Sequence, residues 1–213
     1  MSEITVETYE RAGFTVKIIV DEDPPHPRKD FDNEGTMACA HGRYDLGDKD
    51  GIAILRSAIQ DSKSYKKEWD EEDLDDLPTL DRLAQECEDI ISLPLYLLDH
   101  SGITMSTGSF NDTWDSGKVG IIFISRENVL KAFHAKRLTK QLRKRAVEML
   151  ESEVKTYDLY LRGDVYGYTI EEANGETIDS CWGFFDFDFV KEEANSQADF
   201  FAKDREVKNE ANA

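Results

Sequence analysis

Five residues of this chain have side chains suited to a divalent cation: His41, Asp48, Asp99, His100 and Asp115. Imidazole nitrogen and carboxylate oxygen together match first-row metals. A metal held that way would activate water for hydrolysis of a nucleotide or nucleic acid. The five lie in three separate stretches, so three loops must converge to bring them together. No His-x-x-x-His or Cys-x-x-Cys spacing accompanies them. Turn chemistry accounts for the same residues. In Asp99-His100-Ser101-Gly102 the Asp and Ser side chains bond to nearby backbone, and Gly supplies positive φ. Asp48, Asp50 and Gly51 miss the register of a calcium-binding EF-hand loop, and no Glu closes it. Cys181 lies between Ser180 and Trp182. As a nucleophile it would need a base such as His41 or His100; among aromatics in a strand it reads as packing. Trp114, Tyr166, Tyr168, Trp182 and Phe184 would line a small-molecule pocket or, more simply, build core. No catalytic residue is assigned, and no metal or other cofactor is expected.

The second chemistry is electrostatic. The chain carries 45 acidic and 26 basic residues, a formal net charge of −19. That surplus costs stability through self-repulsion while giving solubility and a strong external field. Lys is not scarce, so adaptation to high salt is the lesser explanation. The charge argues against direct nucleic-acid binding, because phosphates are repelled. It fits the converse, a surface that competes with nucleic acid for a basic partner. Asp70, Glu71, Glu72, Asp73, Asp75 and Asp76 form the densest run, with Asp81 beyond it and Asp21, Glu22 and Asp23 as a second cluster. Duplex DNA places one negative charge about every 1.7 Å of axis, and such a run imitates that density. Lys131, Lys136, Arg137, Lys140, Arg143, Lys144 and Arg145 make one opposing basic patch. This asymmetry favours self-association, and a homodimer is compatible with it.

The elements that must position these groups are legible in outline. Residues 4–10 and 14–20 alternate like two strands around Ala12-Gly13. Pro24, Pro25 and Pro27 make 21–35 a loop. Residues 36–40 suit a short strand and 50–67 a helix with Ile52, Leu55 and Ile59 on one face. Thr79 reads as the N-cap of a helix through Leu80, Leu83, Ala84, Cys87, Ile90 and Ile91, ended by Pro94. Residues 95–98 and 119–124 read as buried strands, 102–117 as loop or short β structure, and 126–134 as helix. The longest helix spans 140–161, with Leu142, Ala146, Met149, Leu150, Val154, Tyr157 and Leu161 as its stripe and Gly163 closing it. Residues 165–171 and 177–185 form a hairpin through Asn174-Gly175. The polar segment from 192 on is a terminal helix using Phe200, Phe201 and Val207, or a frayed tail. Mixed element order predicts an α+β fold, mostly antiparallel sheet packed by the long helix and shorter ones. The expected organisation is one domain over 1–189, with a polar C-terminal helix or tail over 190–213. No run approaches a membrane span, Met1-Ser2-Glu3 does not open a signal peptide, and three widely spaced Cys suit a reducing cytoplasm.

Three stretches carry a family resemblance. The first is Asp32-Asn33-Glu34-Gly35-Thr36-Met37-Ala38-Cys39-Ala40-His41-Gly42-Arg43-Tyr44-Asp45-Leu46-Gly47-Asp48. The second is Leu95-Tyr96-Leu97-Leu98-Asp99-His100-Ser101-Gly102-Ile103-Thr104-Met105-Ser106, running on to Trp114-Asp115-Ser116-Gly117-Lys118-Val119-Gly120. The third is Tyr157-Asp158-Leu159-Tyr160-Leu161-Arg162-Gly163-Asp164-Val165-Tyr166-Gly167-Tyr168, followed by Ile178-Asp179-Ser180-Cys181-Trp182-Gly183-Phe184-Phe185. Together they cover most of residues 30 to 186, and the chain resembles a family of uncharacterised proteins from phages and mobile elements. Ala40 and Gly42 stand where that family usually has Trp and Arg. The resemblance implies a genetic setting rather than an activity. In that setting the acidic run is expected to dock on a basic, nucleic-acid-binding surface of a host defence protein, of the anti-restriction or anti-CRISPR type, in the host cytoplasm.

Overall fold

The computed structural model describes residues 4–71, 74, 76–112 and 114–211. Within them, eight strands and five α-helices form two four-stranded antiparallel sheets, the α+β arrangement that the element order predicts. The chain divides into two compact units, His26–Leu161 and the pair Met1–Pro25 with Arg162–Ala213. Among the described residues, no helix is long and apolar enough to cross a membrane.

The unit His26–Leu161 is built on a sheet of β3 (Thr36–Cys39), β6 (Ser116–Ser125), β4 (Ile90–Asp99) and β5 (Ile103–Ser106), in that order. Helices cover both faces. On one side α1 (Gly51–Gln60) and α2 (Leu77–Glu86) pack Leu55, Ile59, Leu80 and Leu83 on Ala38, Ile121 and Phe123. On the other, α3 (Arg126–Ala132) and α4 (Lys140–Arg162) pack Val129, Leu142, Ala146, Leu150, Val154 and Tyr157 on Met37, Leu95, Ile122 and Ile124. Successive side chains of a strand point to opposite faces. A central strand buried on both faces therefore needs apolar residues at every position, which is why Val119–Ile124 is one unbroken apolar run.

The second unit has the sheet order β1 (Thr5–Arg11), β2 (Phe14–Val20), β7 (Tyr166–Glu171), β8 (Thr177–Phe184). One helix, α5 (Phe187–Ala211), packs on it. Val190, Ala194 and Ala198 are fully buried against Phe14, Val16, Ile18, Tyr168 and Ile170. Small residues at four-residue steps let the helix lie close to the sheet. Phe201 joins this core and meets the Phe14 ring edge-on at 6.4 Å, whereas Phe200 and Val207 stay exposed.

Several elements differ from the sequence pattern. The second helix begins after Asp76, not Thr79: the Asp76 carboxylate accepts the Thr79 N–H at 3.0 Å and its hydroxyl at 2.8 Å. Ile90 and Ile91 belong to β4 rather than that helix. They enter opposite cores, which two adjacent residues do only on a strand. Pro94 lies inside β4 instead of ending a helix. There β4 pairs only with β6, since β5 begins its pairing at Tyr96, so the missing donor faces an unpaired edge. The helix expected over 50–67 stops at Gln60.

Candidate functional site

The first and second motif stretches do meet. Their loops line a cleft of about 350 Å³ bounded by His41, Arg43, Leu97, Asp99, Trp114, Asp115 and Lys118. His41 follows β3. Asp99 ends β4, and Asp115 immediately precedes β6, so sheet pairing sets the spacing between them: the Asp99 N–H donates to the Asp115 carbonyl at 2.7 Å.

Each titratable group here is already engaged. Arg43 forms an ion pair with Asp99. The Tyr44 hydroxyl donates to the other Asp99 oxygen at 3.1 Å. His41 stacks on Tyr44, with ring centroids 5.0 Å apart and 9° between planes. Its Nδ1 accepts the N–H groups of Arg43 and Tyr44, both at 3.3 Å. That bonding gives the imidazole a turn-holding role. Lys118 pairs with Asp81 of α2. His100 Nδ1 lies 2.9 Å from Asp115 Oδ2, and this hydrogen bond, with the Asp115 charge behind it, raises the His100 pKa above its ordinary 6.5. Asp112 Oδ1 accepts the N–H of Trp114 at 2.9 Å and of Asp115 at 3.2 Å.

Asp48 stands apart from this cleft, in a buried ion network. The Arg28 side chain is 1 % exposed. It forks onto Asp48, Nε to Oδ1 at 2.9 Å and Nη2 to Oδ2 at 2.8 Å, and reaches Glu153 of α4 at 2.7 Å and the Gly35 carbonyl at 2.6 Å. Burial lowers the Arg28 pKa, but the bonds from Asp48 and Glu153 outweigh it and the net shift is upward. Asp48 also accepts the Met37 N–H, and Glu153 those of Glu34 and Gly35. Stripping one partner from such a buried pair costs about 3–5 kcal/mol. Asp48 is thus a strut tying the 26–35 loop to β3 and α4. Nearby Cys39 has its thiol pushed up to about 12 by burial and then by Asp48, which leaves it unreactive. Among the described residues, no group of three or more His, Cys, Asp or Glu is placed to share a metal ion.

The acidic run is only partly within the described residues. Glu72, Asp73 and Asp75 lie outside them, and Asp70 and Glu71 close a short 3-10 helix, Lys67–Glu71. Asp76 is spent as the α2 N-cap. The stretch is anchored by buried Trp69 and Leu77, and the Leu74 carbonyl accepts from Arg56 Nε at 2.9 Å. The basic patch occupies the α3–α4 turn. Arg143 donates to the Glu88 carbonyl at 2.6 Å, Arg145 lies 4.5 Å over the Phe133 ring, and Lys144 is 3.4 Å from Glu148. Among the described residues, Lys131, Lys136, Arg137 and Lys140 form no ion pair.

Of the remaining aromatics, Tyr166, Tyr168 and Phe184 share the second unit's core, and Trp182 stays partly exposed. Tyr168 is buried in the second unit's core with Phe184 at 6.0 Å, Tyr166 meets Phe187 at 5.3 Å, and Trp182 lies over Gly167. Cys181 is exposed on β8, paired in register with Tyr168. The cleft residues that sequence reasoning missed are Arg43 and Lys118. Both sit inside the quoted motifs, so the motifs held the signal although residue type did not. Comparison with protein-family models, curated proteins and solved structures found no match.

Proposed function

We propose that this chain is a phage or mobile-element accessory protein that acts by protein binding in the host cytoplasm. Its acidic surface docks on the basic nucleic-acid-binding surface of a host defence enzyme and excludes the substrate. The observation that supports this reading most is the charge surplus and its distribution. The unit Met1–Pro25 with Arg162–Ala213 holds 19 acidic and 7 basic residues, and His26–Leu161 holds 26 and 19. Carboxylates that could do chemistry in the cleft are bonded to Arg43, Tyr44 and His100, whereas the surplus has no cation to match it. Association driven this way is fast and weakens with salt.

The test is affinity capture from host lysate at low and high salt, repeated with Asp70, Glu71, Glu72, Asp73, Asp75 and Asp76 changed to Ser and Asn. The expected result is a salt-sensitive partner lost by the variant while its circular dichroism is unchanged. Equal capture by the variant rejects the assignment to this run. The alternative, a metal-dependent hydrolase, draws on the meeting of His41, Asp99 and Asp115 in one cleft with His100 on Asp115. It loses Asp48, which the Arg28 network holds elsewhere. A chelator-sensitive nucleotide or nucleic-acid hydrolysis would favour it over docking.

A further inference from the structure

Trp114 is 95 % exposed on the cleft rim. Its backbone N–H donates to Asp112 Oδ1 at 2.9 Å. An indole left in water is a common anchor of protein interfaces, where Trp and Arg dominate the binding energy. Beside it, Asp115 is bonded through one oxygen to His100 and keeps 44 % of its side chain exposed.

The same cleft contains the complete form of this arrangement. The Arg43 guanidinium lies 5.6 Å over the Tyr44 ring and pairs with Asp99, which also accepts the Tyr44 hydroxyl. Aromatic face, carboxylate and guanidinium are all present there. At Trp114 and Asp115 the aromatic face and the carboxylate are present, and among the described residues no guanidinium lies over Trp114 or pairs with Asp115.

We propose that Trp114 and Asp115 form a receptor for an arginine side chain of the protein partner. The proposal rests on the docking reading above and names the chemistry of the contact. A guanidinium is planar, stacks on an indole and forks onto a carboxylate, which an ammonium does not match. A basic nucleic-acid-binding surface is rich in the required side chain.

The experiment uses the full chain and fluorescein-labelled hexa-arginine and hexalysine peptides, which have equal charge. Anisotropy is read at about 0.3 M salt, where long-range attraction is largely screened. Hexa-arginine is expected to bind about tenfold more tightly than hexalysine, with the preference abolished in Trp114→Ala and Asp115→Asn and partly kept in Trp114→Phe. Equal binding of the two peptides, or an unchanged preference in Trp114→Ala, overturns the proposal. So does quenching of tryptophan emission by AMP that is lost in Trp114→Ala, because the rim then stacks nucleobases. The two readings fail separately. A captured partner that Trp114→Ala still binds with full affinity removes the receptor and leaves the docking. A Trp114-dependent arginine preference without any captured partner does the reverse.

Discussion

His100 and Asp115 form an exposed pair whose behaviour with pH follows from one sign. The folded-state pKa of His100 lies above 6.5, raised by the hydrogen bond to Asp115, by that residue's charge and, more weakly, by Asp112. The pair therefore contributes fully at pH below the unfolded value and fades as pH rises through the raised one. A proton NMR titration of the His100 ring is expected to give a midpoint above 6.5 that falls in Asp115→Asn. A wild-type midpoint at or below 6.5 contradicts the geometry. Protonated His100 also competes with a guanidinium for Asp115, so hexa-arginine affinity is expected to drop from pH 8 to pH 6 by about threefold to tenfold. At this scale the sequence was readable where a residue bonds locally. Turn chemistry at Asp99 to Gly102 announced loops that bear polar groups. It could not tell which carboxylate would meet which cation. The partners of Asp48 are Arg28, 20 positions back, and through it Glu153, 125 positions beyond Arg28. Spacing carries no trace of a pair like that, so Asp48 looked like a metal ligand.

Periodicity placed α4 and β2 nearly to the residue and found the buried part of β6, because each buries a complete stripe or a complete face; β6 begins three residues before that, at Ser116, where its residues are not buried. It failed at the α2–β4 junction. There a short helix runs almost directly into a strand, and apolar residues of both suit a 3.6-residue repeat. Pro94 then read as a terminator, although an unpaired strand edge tolerates it. In α5 the large Phe residues drew attention, while the contact is made mainly by Val190, Ala194 and Ala198. Close approach also decides β3 and β6. A Cβ at Gly120 would collide with the Ala38 carbonyl oxygen across the β3–β6 pairing, and the neighbouring atoms are backbone with little room to yield. Gly120→Ala is expected to destabilise the protein by about 1–3 kcal/mol. Urea unfolding followed by circular dichroism would register it as a lower midpoint, and a wild-type midpoint would show that β3 has room to move.

On the scale of the molecule, His26–Leu161 has its own sheet with a packed core on either face. Residues 26–161 expressed alone are expected to unfold cooperatively on heating, with near-wild-type secondary structure for that span. A fragment without a melting transition would mean that its stability depends on the rest of the chain. The expected boundary at 189–190 falls inside the first turn of α5, since composition registers polarity and not which segments share a core. The second unit combines both ends of the chain, with β2 hydrogen-bonded to β7. During synthesis the ribosome releases the first hairpin well before its flanking strand. At about 5–20 residues per second the wait for Tyr166–Glu171 is roughly 7–30 s. A lone hairpin is marginal in water, and its bare β2 edge is an invitation to mispairing. The nascent chain thus holds an unpaired β2 edge throughout that wait, and slow translation is expected to lower its yield.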